Sequence, residues 1–249
     1  MDHDAEHGSV RIEMHGSVAE IVLDRPQKHN ALTPKMYAEI AQCCDTANRE
    51  PEVHAVIFRG AGERAFCAGS DIKALDDYED FWAWRNRNDY LPPILNLRKP
   101  AIAALKGWAL GGGFEIALAC DLRVAAKSTV FSAPEVTLGW NGAGGAAQHI
   151  TRLAGYGRAM QILLTGDRIG AIQAEKFGLI EYLVDDGEEL DTARDLTQRI
   201  AAHSTVATQA VKAAVRSALD LTVAQGLRYE NELMSLCFAK VEQAKTRTS

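Results

Sequence analysis

Three consecutive glycines open an apolar run that carries a single acid: Gly107-Trp-Ala-Leu-Gly-Gly-Gly-Phe-Glu115-Ile-Ala-Leu-Ala-Cys-Asp121. Without a Cβ, glycine lets a backbone approach a ligand closely and adopt conformations other residues avoid. The spacing predicts a glycine turn followed by a helix from about Gly112 to Cys120. A helix that starts at such a loop points unpaired N–H groups outward, which suits an anion. With Glu115 in the first turn, the segment is a candidate for stabilising a developing oxyanion beside a carboxylate that handles protons. Taken alone, it reads equally as a tight turn whose acid favours the helix N-terminus.

A second small-residue turn, Phe66-Cys-Ala-Gly-Ser-Asp-Ile-Lys73, also leads into an expected helix, and a second acid, Glu135, follows Pro134. Around these motifs the chain alternates strands and helices. Val10 to Met14 and Ala19 to Leu23 form an expected hairpin about His15-Gly16-Ser17. Thr33-Pro34 reads as an N-cap with proline at the first helical position, starting a helix to about Asn48. Ala55 to Phe58, Ala101 to Leu105 and Leu122 to Ala125 read as short buried strands. Asp76-Asp-Tyr-Glu-Asp80 is an acidic run followed by Phe81, Trp82 and Trp84, expected as a solvated helix start with an aromatic core face. From about residue 187 onward the chain is helical, with apolar spacing over Glu188 to Ala202, Val206 to Leu219 and Val223 to Val241.

The 249 residues suffice for a full core, and 47% hydrophobic with 24% charged residues is ordinary for a globular chain. A net charge of −6 disfavours non-specific binding to nucleic acid or an acidic membrane. No apolar run approaches the length of a membrane span. Met1 to Gly8 is polar and acidic, unlike a signal or transit peptide. The five cysteines form no metal-like cluster with histidine, and a reducing, cytoplasmic setting is expected. No phosphate loop with lysine is present, and Gly142-Ala-Gly-Gly145 lacks the context of a nucleotide site. His29, His54, His149 and His203 are scattered, and no serine–histidine–acid set is suggested. Cys67, beside the second turn, is expected to be a buried supporting residue rather than a nucleophile.

The Phe66–Lys73 and Gly107–Glu115 motifs, with Lys99-Pro-Ala-Ile-Ala-Ala104 and Phe131-Ser-Ala-Pro-Glu-Val-Thr-Leu-Gly139, resemble the enoyl-CoA hydratase/isomerase (crotonase) family. Arg25-Pro26, Asn30-Ala31-Leu32, Leu164-Thr-Gly-Asp-Arg168, Ala174 and Gly178-Leu179 fit the same pattern over roughly residues 9 to 240. The resemblance implies an α/β fold of the ClpP/crotonase kind. It would be a spiral of β-β-α units over residues 1–187, with a helical trimerisation region over 188–249. It implies an oxyanion hole from the backbone N–H groups of Ser70 and Gly112, and catalysis by Glu115 and Glu135. Coenzyme A, part of the substrate, would lie against Ala31, Ala68, Asp71 and Ile72, with Lys28 as a phosphate partner. Trp84, Trp140 and Asn141 would shape the acyl pocket. The expected reaction is reversible hydration of a 2-enoyl-CoA, without metal or redox cofactor, in a homotrimer or hexamer. Isomerisation, carnitinyl-CoA-type dehydration, thioester hydrolysis or non-catalytic acyl-CoA binding are the alternatives.

The sequence departs from the family pattern in two places. Leu138-Gly-Trp-Asn-Gly-Ala-Gly-Gly145 lacks the usual proline, is one residue shorter, and is followed by an extra residue at Ala146-Ala147. It also lacks the acid that some dienoyl isomerases place there. With the end at Lys245-Thr-Arg-Thr-Ser249, part of the coenzyme A clamp usual in the family is expected to be missing or supplied differently.

Overall fold

The protein is described by a computed structural model over residues 7–75 and 78–248. Its organising feature is a pair of sheets wound by one superhelical path. The larger sheet has the order β1 (Ser9–His15), β2 (Val18–Asp24), β3 (Ala55–Gly60), β5 (Ala101–Leu105), β7 (Leu122–Ala126), β10 (Tyr182–Val184). The smaller has the order β4 (Ala65–Cys67), β6 (Trp108–Leu110), β8 (Val130–Ser132), β9 (Ile169–Gly170). The chain alternates between them. β3 is followed by β4, β5 by β6 and β7 by β8, so each turn of the spiral adds one strand to each sheet. Within the spiral the pairings are parallel, while the β1–β2 hairpin and the β8–β9 pair are antiparallel.

The strands read as continuous apolar runs because both faces of the large sheet are covered. Alternation sorts their side chains: Val56, Phe58, Ala101, Ala103 and Leu105 join the main core, whereas Ile57, Ile102, Ala104 and Val124 face the other way. That second face is covered by Ala193 and Leu196. Both lie on the helix Glu189–Ala201. This helix is therefore a layer of the sheet sandwich. Two later helices, Thr205–Ser217 and Val223–Thr248, complete the C-terminal region.

The helix α1 (Pro34–Arg49) starts as expected, with the Thr33 side chain accepting from Met36 N at 3.4 Å. After the α2 turn (Ile72–Leu75), the aromatic segment differs from expectation. Asp76 and Asp77 lie outside the described residues. Asp80 caps the helix α3 (Phe81–Arg85), accepting from Ala83 N at 2.7 Å. Phe81 and Trp82 do not form a core face: they are 73% and 71% exposed. A five-residue helix has too little length to turn three aromatics inward; only Trp84 turns toward an interior, with Phe81 stacked on it at 5.9 Å between ring centroids. A further short helix, α4 (Leu91–Leu95), then leads to β5. Among the described residues, no helix is long and apolar enough to cross a membrane.

Candidate active site

The site forms where β4 and β6 end side by side in the small sheet. β6 runs through Gly111 into α5 (Gly112–Ala119), every residue of which is buried. An apolar helix of this kind exists only inside a core. Gly112 stands at its first position, where a helix leaves its N–H unpaired.

Beyond β4 the chain reaches Ser70 through Gly69, whose φ of +95° and closeness to Leu110 O (2.9 Å from an ideal Cβ) exclude a side chain. Ser70 pairs with Leu32 in a parallel bridge. In that bridge Leu32 N donates to Gly69 O and Asp71 N donates to Leu32 O, both at 2.8 Å. The bonds to Leu32 thus come from the residues flanking Ser70, and Ser70's own N–H is turned to the opposite edge. That edge faces α5: an ideal Cβ on Gly112 would sit 3.6 Å from Ser70 N. The Ser70 hydroxyl accepts a 2.8 Å hydrogen bond from Tyr37, which orients the side chain at the junction of the two turns.

Glu115 and Glu135 converge beside these two N–H groups. Glu115 is 2% exposed, with Oε2 accepting from the Tyr90 hydroxyl at 2.5 Å and Oε1 from Ala146 N at 3.2 Å. Glu135, at the start of a 3-10 turn over Pro134–Leu138, lies over Gly111, whose ideal Cβ would be 2.9 Å from Glu135 Oε1. The same construction at Gly142 falls 3.5 Å from Glu115 Oε1 and 3.7 Å from Glu135 Cδ, so both carboxylates flank one point. Burial, reinforced by the charge of Glu115, raises the pKa of Glu135 above the ordinary carboxylate range. Burial and the neighbouring Glu115 push the Tyr90 phenol well above its usual value, so it stays a donor.

Glu115, Glu135, Ser70 and Gly112 line a chamber of about 150 Å³, with Ala68, Ile72, Trp84, Arg87, Tyr90, Leu138 and Trp140 among the other walls. At Ser70 and Ile72 it meets an open groove of about 1160 Å³ lined by Lys28, His29, Ala31, Asp71 and Lys73. Asp71 is held by Arg25 at 2.8 Å; burial alone would raise its pKa, but the Arg25 hydrogen bond and charge outweigh this and lower it. Ala68 lines the chamber and not the groove. Asn141 lines neither: it sits with Trp140, Phe81 and Tyr78 around an outer basin, because Gly139 and Gly142 turn the loop left-handed on either side of it.

No histidine lines the chamber among the described residues. His29 stacks on Trp108, and His54 contacts Ala201 O. Cys67 is fully buried, and burial pushes its thiol up to about 12, which leaves it protonated and unreactive. Sequence reasoning missed Tyr90, Arg87 and Gly144. An ideal Cβ on Gly144 would fall 2.1 Å from Glu115 Oε2, so the glycine-rich stretch 142–145 is the cover of the buried acid. The one available signal was the density of glycine in a loop next to Glu135.

The enoyl-CoA hydratase/isomerase family model matches residues 13–249. A probable enoyl-CoA hydratase of Rhizobium meliloti is 37% identical over 238 residues, covering 93% of this chain and 90% of that protein. The short-chain-enoyl-CoA hydratase of Clostridium acetobutylicum is 33% identical over 247 residues, covering 98% and 95%. In three dimensions, an enoyl-CoA hydratase subunit I from Geobacillus kaustophilus matches with a TM-score of 0.89 at 34% identity, over 96% of this chain and 93% of that one. The spiral of paired strands, the two glycine turns and the similarity along nearly the whole length agree: the chain belongs to the enoyl-CoA hydratase/isomerase family and has the crotonase fold.

Proposed function

We propose that the chain is an enoyl-CoA hydratase that adds water reversibly across a 2-enoyl-CoA. The observation that carries this reading is the convergence of Glu115 and Glu135 on one point beside the paired turns at Ser70 and Gly112. In this reading the thioester oxygen accepts from Ser70 N–H and Gly112 N–H. Negative charge gathers on that oxygen as an enolate forms, so the two donors and the N-terminus of α5 stabilise the transition state more than the ground state.

Glu115 accepts a proton from water as the oxygen bonds to Cβ. Glu135 delivers a proton to Cα as the enolate collapses, and its raised pKa suits a carboxyl group that must start protonated. The acids exchange protonation states over one turnover and reset through solvent.

The groove is proposed to hold the coenzyme A part of the substrate, with Lys28 and Lys73 available to its phosphates and the pantetheine running over Ala31, Asp71 and Ile72. The volume of the chamber, on the order of a benzene-sized cavity, suits a short acyl group. The region after residue 187 is proposed to serve self-association as a trimer or a dimer of trimers. Its support is a set of exposed apolar side chains, including Val211, Val215, Leu227, Leu236 and Phe238, on the two last helices.

The test is loss of absorbance at the conjugated thioester band of crotonyl-CoA, with mass analysis of the product. Glu115→Gln and Glu135→Gln should each lower kcat by at least about 10²-fold, the range typical of a lost general acid or base. A product of unchanged mass, or full activity in both variants, rules the reading out.

A further inference from the structure

A cation stands in the wall of the acyl chamber and takes no part in the chemistry proposed above. Arg87 lines the chamber together with Trp84, Leu138 and Trp140. Its guanidinium carbon lies 4.2 Å over the Trp84 ring, and Nη1 donates to Trp84 O at 3.0 Å. The side chain is only 15% exposed. Stacking and a backbone bond hold the planar fork in one orientation before any ligand arrives.

Its charge is weakly answered. The nearest carboxylate, Asp89, is 3.5 Å from Nη2 and uses its other oxygen to hold Leu91 N at 3.1 Å. Of the five N–H donors a guanidinium carries, only those to Trp84 O and Asp89 find partners among the described residues. Arg87 is also no counter-ion to Glu135, whose perturbation comes from burial, its own backbone and Glu115. A neutral hydrocarbon tail would gain nothing from these donors and would bear the cost of desolvating them. A carboxylate would satisfy them with charge-assisted bonds. It would otherwise be repelled from a chamber that already holds two acids.

We propose that Arg87, stacked on Trp84 in the wall of the acyl chamber, is a carboxylate-binding subsite, and that the preferred substrate is a short 2-enoyl-CoA whose acyl tail ends in a carboxylate. This rests on the acyl-CoA reading of the chamber. It assigns the free enoyl diacid monothioester, rather than a plain fatty acyl chain, to the 150 Å³ space.

The experiment compares 4-carboxybut-2-enoyl-CoA with 2-pentenoyl-CoA for the wild type, Arg87→Gln and Arg87→Lys. The wild type should prefer the carboxylate substrate by about 10-fold or more in kcat/KM. Arg87→Gln should lower kcat/KM for it by about 10²-fold, as expected when one partner of a desolvated ion pair is removed, and lower the neutral one less than about 3-fold. Arg87→Lys should fall between, since an ammonium keeps the charge and loses the fork. A wild type without carboxylate preference, or equal losses on both substrates, overturns the proposal. Calorimetry with the unreactive glutaryl-CoA and pentanoyl-CoA separates this outcome from failure of the hydratase reading. Tighter glutaryl-CoA binding that Arg87→Gln abolishes upholds the subsite even in a protein that hydrates nothing, and equal binding of the two overturns it.

Discussion

Tyr90 shows how one hydroxyl can govern a buried acid. Its ring packs at 5.3 Å from that of Tyr37, and its hydroxyl donates to Glu115. Tyr37 in turn holds Ser70, so two tyrosines tie a catalytic carboxylate and an oxyanion-hole residue to one aromatic pair. Tyr90→Phe keeps the ring and deletes the donor. Loss of a hydrogen bond to a charged group is expected to cost about 1.5–3 kcal/mol, or about 10–10²-fold in kcat, with KM changed little. Steady-state kinetics with crotonyl-CoA checks the split; an equal loss through KM alone would contradict a positioning role. Glu135 makes a prediction about stability. Its raised pKa means that, above the ordinary carboxylate range, the native state holds a proton the unfolded chain has released, so this group's contribution to stability falls as pH rises through its folded pKa. Glu135→Gln should therefore raise Tm at pH 8, with no gain at pH values below the ordinary carboxylate range. Calorimetric scans at both pH values decide it.

At the scale of elements, the site depends on loops whose geometry is set by their neighbours. The stretch from Gly142 to Gly145 covers Glu115 so closely that Gly144→Ala would drive a methyl group into the carboxylate and the Tyr90 hydroxyl. The loop must then move, along with the Ala146 N–H that holds Glu115. A displacement near 1 Å in such a site is expected to lower kcat/KM about 10²-fold, while Tm changes little because residues 138–141, which would move with it, are exposed. A second dependency joins the Glu189–Ala201 helix to the large sheet. Glu20, fully buried in β2, accepts from Arg59 at 2.6 Å and from Arg194 at 2.7 Å. Burial alone would raise its pKa, but the two arginine hydrogen bonds outweigh this and lower it. Its stabilising contribution is present at neutral pH and is lost as pH falls through the lowered pKa. Glu20→Gln leaves two arginines at the sheet without their shared anion and should cost about 3 kcal/mol at pH 7, read from denaturant midpoints.

At the scale of the whole molecule, the last two helices carry apolar side chains, among them Val211, Val215, Leu227, Leu236 and Phe238, that a single chain leaves exposed. Under the proposed self-association, Val215→Asp with Leu227→Asp should reduce the sedimenting species to the mass of one chain. An unchanged mass would move the interface elsewhere. The resemblance to the family was legible because its motifs sit where backbone geometry admits few residues: Gly69 at positive φ, Gly112 at a helix start, and Asn30, whose side-chain amide donates to Ala61, Ala65 and Phe66 carbonyls while its oxygen accepts from Arg25 N. Such constraints are local and leave a local trace.

Sequence by itself was enough for β1, β2, β3, β5 and β7, the glycine turns and the capped helix at Thr33, because periodicity, capping and conformational freedom act over a few neighbouring residues; the short strands of the small sheet left no such trace, and the two acids stood out only through the family resemblance. It could not show that Tyr90 would meet Glu115 across 25 positions, that Gly144 would press on the same carboxylate, or that Phe81 and Trp82 would face solvent while Trp84 and Arg87 entered the chamber. Those contacts arise where separate turns of the spiral stack, and a contact between distant residues is decided by packing in three dimensions rather than by the propensities of either residue.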